Sequence, residues 1–262
     1  MTKTLFLKAT LTCLVILGAG TVQAWNCEHE KDIDVTLDLS TSELLKVVAG
    51  AGDLEIVGQA GTREARAIGR VCASEPEWLD EANVLTQGGR NAEIRVSLPD
   101  ADNGWSVWGN RYVYIDLKVE VPENIPLDVR DSSGDMQIVG TASVEVHDSS
   151  GDIDIEDVTG EVVLNDSSGD IDLLNITGNV TVRQDSSGDI YGRDIHGSVM
   201  VERDSSGDIR FRNVRDNYVV ERDSSGDIVA DSVGGDFRVL QDGSGSIDMR
   251  DVSGEVDIPD RG

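Results

Sequence analysis

The sequence predicts an all-β chain: a β-solenoid with two short strands per coil of 17–19 residues, preceded by an irregular β region. Three observations predict it. A six-residue motif recurs, as DSSGDM from Asp131, as DSSGDI from Asp148, Asp166, Asp185, Asp204 and Asp223, and in degenerate form as DGSGSI from Asp242. The spacings are 17, 18, 19, 19, 19 and 19 residues, and such a period is the signature of stacked repeats. Each repeat then divides into two related halves, as in DSSGDIDIE followed by DVTGEVVLN, with turn residues around a glycine and then an apolar–any–apolar run. Composition agrees. Hydrophobic residues make up 39% but aromatics only 4%, and 28 glycines accompany five prolines, which suits an aliphatic core between many tight turns.

Residues 1–24 read as a secretory leader. Lys3 and Lys8 precede the apolar run LTCLVILGAG, and VQA places a small residue, Ala24, at the cleavage position. The run is too short to span a bilayer. Thr12 before Cys13 and Asn26 before Cys27 exclude a lipobox, so the chain is expected in the periplasm or outside the cell, with no direct membrane insertion. Cys27 and Cys72 remain after cleavage. An even pair in an exported chain is expected to form a disulfide, worth about 4 kcal/mol in the loop-entropy picture.

Residues 25–125 form an N-terminal β region continuous with the solenoid. The strand-like stretches are DIDVTLDLS, LLKVVAG, REARAIGRVCA, AEIRVSLPD and YVYIDLKVEVP, with a short helix in EPEWLDEANVL. GDLEIVG at 52–58 mirrors GDMQIVG at 134–140, so the first coil is expected near residue 50, followed by an excursion. Residues 126–262 form the regular solenoid. Alternation points Ile153, Ile155, Val162 and Leu164 inward in one coil, Ile171, Leu173, Val180 and Val182 in the next, and Ile209, Phe211, Tyr218 and Val220 in a later one. Val158, Ile176, Ile195, Val214, Val233 and Val252 add a further apolar column before the second turn. The segment 258–262, IPDRG, is a candidate terminal cap.

Stacking puts Asp148, Asp166, Asp185, Asp204 and Asp223 in one column and Asp152, Asp170, Asp189, Asp208 and Asp227 in a second. At a coil step of about 4.8 Å, neighbouring charges repel by about 0.9 kcal/mol in water and by several times that near a low-dielectric surface. Turn hydrogen bonds offset part of this. In later coils Arg183, Arg203 and Arg222 are expected to neutralise the column; His147 and Asn165 stand in the corresponding early places. The early set Asp148, Asp152, Asp166 and Asp170 is therefore the candidate metal site, and its hard oxygen ligands select calcium, the one cofactor the sequence suggests.

A net charge of −28 excludes nucleic acid and anionic membranes as partners. No catalytic set emerges. His147, Asp148 and Ser149 are adjacent in sequence, which does not give a triad its geometry. Carboxylate pairs abound, and nothing marks one of them. Trp105, Trp108 and Tyr112 lie in NGWSVWGNRYVY, where they either cover the open end of the core or stack on sugars.

The SSGDI repeat, following AGDLEIVG and VEVPENIPLDV, resembles a family of exported bacterial β-strand-repeat proteins of unknown function whose members are labelled candidate adhesins. The resemblance covers Val47 to Ile258 and implies an all-β solenoid with no catalytic residues. It suggests a non-enzymatic cell-envelope binding or scaffold module for an unknown envelope protein or glycan. A weaker resemblance, to calcium-binding β-rolls, implies a calcium-dependent binding protein as the alternative. A polysaccharide-active enzyme ranks below both.

Overall fold

A computed structural model describes residues 27–99 and 111–259. The leader (1–24), Trp105, Trp108 and the last residues of the expected cap lie outside the described residues. Among those described, two 11-stranded sheets face each other across one hydrophobic core.

The regular coils each give one strand to each sheet. One sheet, here sheet A, stacks β9 (Met136–Val139), β11 (Ile153–Glu156), β13 (Ile171–Ile176), β15 (Ile190–Ile195), β17 (Ile209–Val214), β19 (Ile228–Val233) and β21 (Ile247–Val252). Sheet B stacks β8 (Leu127–Arg130), β10 (Val144–His147), β12 (Val162–Asn165), β14 (Val180–Gln184), β16 (Val199–Val201), β18 (Tyr218–Val220), β20 (Phe237–Val239) and β22 (Val256–Asp257). All these neighbours pair in parallel, and equivalent residues face each other, as Ile153↔Ile171 and Ile171↔Ile190 do.

The expected inward residues are buried, and the further column from Val158 to Val233 is buried with them; Val252 in the last coil is only half-buried. Each fully buried aliphatic side chain contributes about 1.5–3 kcal/mol of transfer free energy. Toward the C-terminus the core turns aromatic: Phe211, Tyr218 and Phe237 stack with centroids 5.2 and 5.1 Å apart. Gly192 makes room for this, since a Cβ there would lie 2.1 Å from the Phe211 ring.

The N-terminal region enters the same two sheets. β2 (Leu44–Val48) and β3 (Leu54–Gln59) form a coil that pairs in parallel with β8 and β9, in the register Leu54↔Met136 and Ile56↔Ile138 that the mirrored sequences imply. The excursion then builds the level beneath: β6 (Asn91–Ser97) pairs with β2, and β7 (Val113–Pro122) pairs with β3. Antiparallel strands close this end. β4 (Glu64–Ala73) covers β7, β1 (His29–Asp38) covers β4, and β5 (Asn83–Gln87) covers β6. The expected helix is one turn, α1 (Trp78–Glu81). Cys27 and Cys72 are bridged, with Cα atoms 5.5 Å apart across 45 residues of sequence, and tie the segment leading into β1 to β4.

Candidate functional site

The DSSGD corner assigns each of its residues a different task. The glycine turns the chain: Gly134, Gly151, Gly169, Gly188, Gly207, Gly226 and Gly245 all have φ between 123° and 143°. It also permits the stack, because a Cβ on Gly207 would lie 1.7 Å from the carbonyl oxygen of Gly188. No other residue meets both demands. The second serine of a copy donates its hydroxyl to the carbonyl of the first serine in the preceding copy, as Ser150 to Ser132 (3.2 Å), Ser168 to Ser149 (3.2 Å) and Ser206 to Ser186 (3.1 Å).

The second aspartate builds an outer ladder. Its Oδ1 accepts the backbone N–H of the equivalent residue one level on. In spatial order the acceptors are Asp116, Asp53, Asp135, Asp152, Asp170, Asp189, Asp208 and Asp227, and the last donor is Ser246. The distances shorten along the rod, from 3.2 Å at Asp53 N–H to 2.7 Å at Ser246 N–H. The ladder thus runs through the irregular region as well, where sequence spacing hides it.

The first aspartate lies inside. Asp131, Asp148, Asp166, Asp185, Asp204 and Asp223 are at most 6% exposed. Asp166 and Asp185 accept the N–H of the next residue at 2.6 and 2.7 Å, and Asp223 accepts that of Ser225 at 3.1 Å. The other oxygen of each makes no hydrogen bond of normal geometry, and in Asp131, Asp148 and Asp204 neither oxygen does, although the N–H groups of the two serines that follow lie close enough to favour the charged form. Burial therefore raises all six. Asp131 and Asp204 reach about 7, and Asp166, Asp185 and Asp223 reach about 6, with neighbouring aspartates of the column adding to the rise. Asp148 is raised by the same burial.

Burial overturns one expectation. The sequence leads one to expect arginine beside the column, neutralising it. Instead Arg183 bonds Glu145 at 2.7 Å, Arg222 bonds Gln241 at 3.2 Å, and Arg203 is exposed. Long cationic side chains remain in water, while the short Asp side chain turns in with the corner. The four candidate calcium ligands divide accordingly: Asp148 and Asp166 in the inner column, Asp152 and Asp170 in the outer ladder. Among the described residues no three His, Cys, Asp or Glu side chains are grouped to hold a metal. Tyr112 is half-buried beside β1, where its hydroxyl accepts the N–H of Glu28 at 3.3 Å and its ring lies 6.1 Å from that of Tyr114.

A second feature was not anticipated. On the outer face of sheet A, coil register aligns Asp154, Asp172, Tyr191 and Arg210 in one row and Glu156, Leu174, Arg193 and Arg212 in the next. These residues line a shallow groove of about 640 Å³, acidic at one end and basic at the other. Burial, then neighbouring carboxylates, raise Asp154 and Asp172. The Arg210 guanidinium lies 5.6 Å from the Tyr191 ring, donates to its hydroxyl at 3.1 Å and pairs with Asp208. The repeat period held the signal: lining up the third and fifth residues after each glycine of DSSGD yields both rows.

A family model described as Toastrack DUF4097 matches residues 28–258. No curated protein matches the chain. Similar solved structures include a candidate adhesin from Bacteroides fragilis, at 12% identity over 87% of this chain and 97% of that one with a TM-score of 0.41. A candidate lipid binding protein from Parabacteroides distasonis is 16% identical over 87% and 97%, with a TM-score of 0.39. A candidate cell adhesion protein from Clostridium sporogenes is 14% identical over 88% and 99%, with a TM-score of 0.33.

Proposed function

The chain belongs to the Toastrack DUF4097 family, and from that premise we propose that it is a non-enzymatic, exported β-solenoid that works as a binding or scaffold module of the cell envelope. Export rests on the leader-like start and on a disulfide, which persists in oxidising compartments. Among the described residues no helix is long and apolar enough to cross a membrane.

One observation carries the binding reading. In a chain of net charge −28, three arginines and a tyrosine gather on one flat strand face beside a carboxylate row. Arginine and tyrosine are the residues that dominate recognition surfaces. The opposed ends of the groove suit an extended partner carrying both signs of charge, such as an envelope protein segment or a charged glycan. The corner motifs are occupied with holding the coils together.

The test is an array of envelope glycans and proteins probed with residues 25–262, without and with calcium, beside the double variant Arg193→Glu/Arg212→Glu. Neither arginine touches the core, so circular dichroism should be unchanged, and ligands of the parent should bind the variant at least tenfold more weakly. Equal binding by both proteins removes this face as the site. Binding that requires calcium favours the β-roll alternative.

A further inference from the structure

The two ends of the rod differ. At the N-terminal end the edge strands β1 and β5 run antiparallel to their neighbours and contact each other, whereas at the other end β21 and β22 are parallel edge strands with no further strand beside them among the described residues. In each coil the isoleucine that starts the sheet A strand donates its N–H to the next coil: Ile171 to Asp189, Ile190 to Asp208, Ile209 to Asp227 and Ile228 to Ser246, each at 2.8–2.9 Å. Ile247 is the next member of that series. By the alternation of a parallel ladder, the backbone groups of Ile247 and Met249 face the open edge. Apolar surface is open there too. Met249 is 44% and Val256 39% exposed, while their counterparts one coil back, Ala230 and Phe237, are at 0%.

The charges on this edge decide which partner fits. Asp248 and Arg250 flank Met249 on the outer face of sheet A, and Arg250 pairs with Asp231 of β19 at 2.5 Å. We propose that the β21 edge docks a second copy of this chain, antiparallel and two-fold symmetric, with Met249 on the axis. That register sets Asp248 opposite Arg250 of the other copy, and Arg250 opposite the other Asp248. It also makes Met249 a hydrogen-bonded pair with itself, the pair type its edge-facing backbone groups require. The outer row then runs Arg212, Asp231, Arg250 and the second copy's Asp248, alternating in sign. Charged side chains commonly protect an edge against pairing; here the two are of opposite sign and complement themselves in this register. The two-fold closes, so the product is a dimer and not a fibre.

Residues 25–262 should sediment as a dimer across a dilution series, and Met249→Arg should sediment as a monomer with an unchanged circular dichroism spectrum. Asp248→Lys and Arg250→Glu should each weaken the dimer at least tenfold, and the double variant should restore it. Met249→Cys should oxidise to a covalent dimer, since a hydrogen-bonded antiparallel pair places Cα atoms about 5.5 Å apart, within disulfide reach. A monomeric parent overturns the proposal. So does a dimer that survives Met249→Arg and gives no cross-link through Met249→Cys, because its interface lies elsewhere. Array binding by a Met249→Arg monomer separates this edge from the arginine face.

Discussion

Asp185 and Asp189 belong to one copy of the motif, four positions apart, yet they occupy opposite environments. Asp185 is fully buried, and burial with Asp166 beside it lifts its carboxyl to about 6. Asp189 faces outward and is held below the usual carboxylate range by the backbone N–H of Asp208 and the Tyr191 hydroxyl. The intervening Ser–Ser–Gly turn carries the chain from one side of the wall to the other. The difference teaches that a repeated residue type is not a repeated role. The outer aspartate supplies an acceptor to the coil that follows, and the inner one is a buried acid that the fold tolerates best when it holds a proton.

The most severe way to break the comparison is to block the turn between the two columns. In Gly207→Ala the new Cβ would lie 1.7 Å from a backbone oxygen, at a φ of 132° that L-residues rarely adopt. No flexible side chain can yield there. The expected loss exceeds about 4 kcal/mol, read as failure to give a cooperative unfolding transition. Gly61→Ala is the control: it also has positive φ but meets nothing within 4 Å. Its cost should stay near 1–2 kcal/mol, the strain of the left-handed region alone. A cooperative Gly207→Ala protein of near-parent stability would mean that the coils stack differently.

The next effect comes from protons. Five of the inner aspartates, Asp131, Asp166, Asp185, Asp204 and Asp223, have folded values of about 6 to 7 against an ordinary 3.8, and Asp148 is raised in the same direction. A raised folded value means that the folded state binds the proton more tightly. Their favourable contribution is therefore complete below about pH 3.8, fades as pH rises to about 7 and is gone above that. One group moving from 3.8 to about 6 changes stability by about 3 kcal/mol, and coupling within the column keeps the six from adding simply. Urea midpoints should be higher at pH 5 than at pH 8, the reverse of ordinary acid denaturation. Below pH 3.8 the outer pairs, such as Asp34 with Arg66, lose their charge and the trend turns. Asp185→Asn should stabilise the protein at pH 8 and flatten the profile. A midpoint that falls between pH 8 and pH 5 would remove the interior acid column from the account.

Much of this architecture was readable from residue order. The period, the strand alternation, the inward aliphatic positions and the mirrored GDLEIVG coil all survive in the structure, because a buried two-strand coil forces apolar residues into fixed places. Direction was harder to read. Aspartate is ordinarily a surface residue, and no period distinguishes an Asp that turns inward from one that turns out. The excursion was visible as a break in the repeat. That its strands slip beneath the first coil was not, since β6 and β7 carry no DSSGD. The arginine face was encoded but distributed: Tyr191, Arg193, Arg210 and Arg212 sit in two different repeats and become neighbours only through parallel register.

A gentler probe compares the two columns at one oxygen. Asp170 Oδ1 accepts the Asp189 N–H at 2.8 Å. Asp170→Ala removes that acceptor and should cost about 0.5–1.5 kcal/mol, the net worth of one hydrogen bond. Asp170→Asn keeps an oxygen in place and should be close to neutral at pH 8. Equal losses in the two variants would show that the charge, and not the acceptor, holds the ladder.

The smallest effect concerns calcium and asks which column a cation meets. In the outer ladder Oδ1 is engaged with the backbone, so Asp152 and Asp170 each offer a cation the remaining Oδ2. Asp148 and Asp166 are shielded within the wall. Two single oxygens with water completing the shell make a weak calcium site, since the ion takes six to eight oxygen ligands. At ten times its Kd a ligand adds only about 1.4 kcal/mol. Millimolar calcium should therefore raise Tm by no more than a few degrees beyond sodium at equal ionic strength. Asp152→Asn/Asp170→Asn should abolish that increment, and Asp148→Asn/Asp166→Asn should leave it. If the inner pair abolishes it and the outer pair does not, calcium enters the wall, and the buried acids are its ligands in place of protons. If calcium and sodium act alike, the outer ladder serves only to join coil to coil.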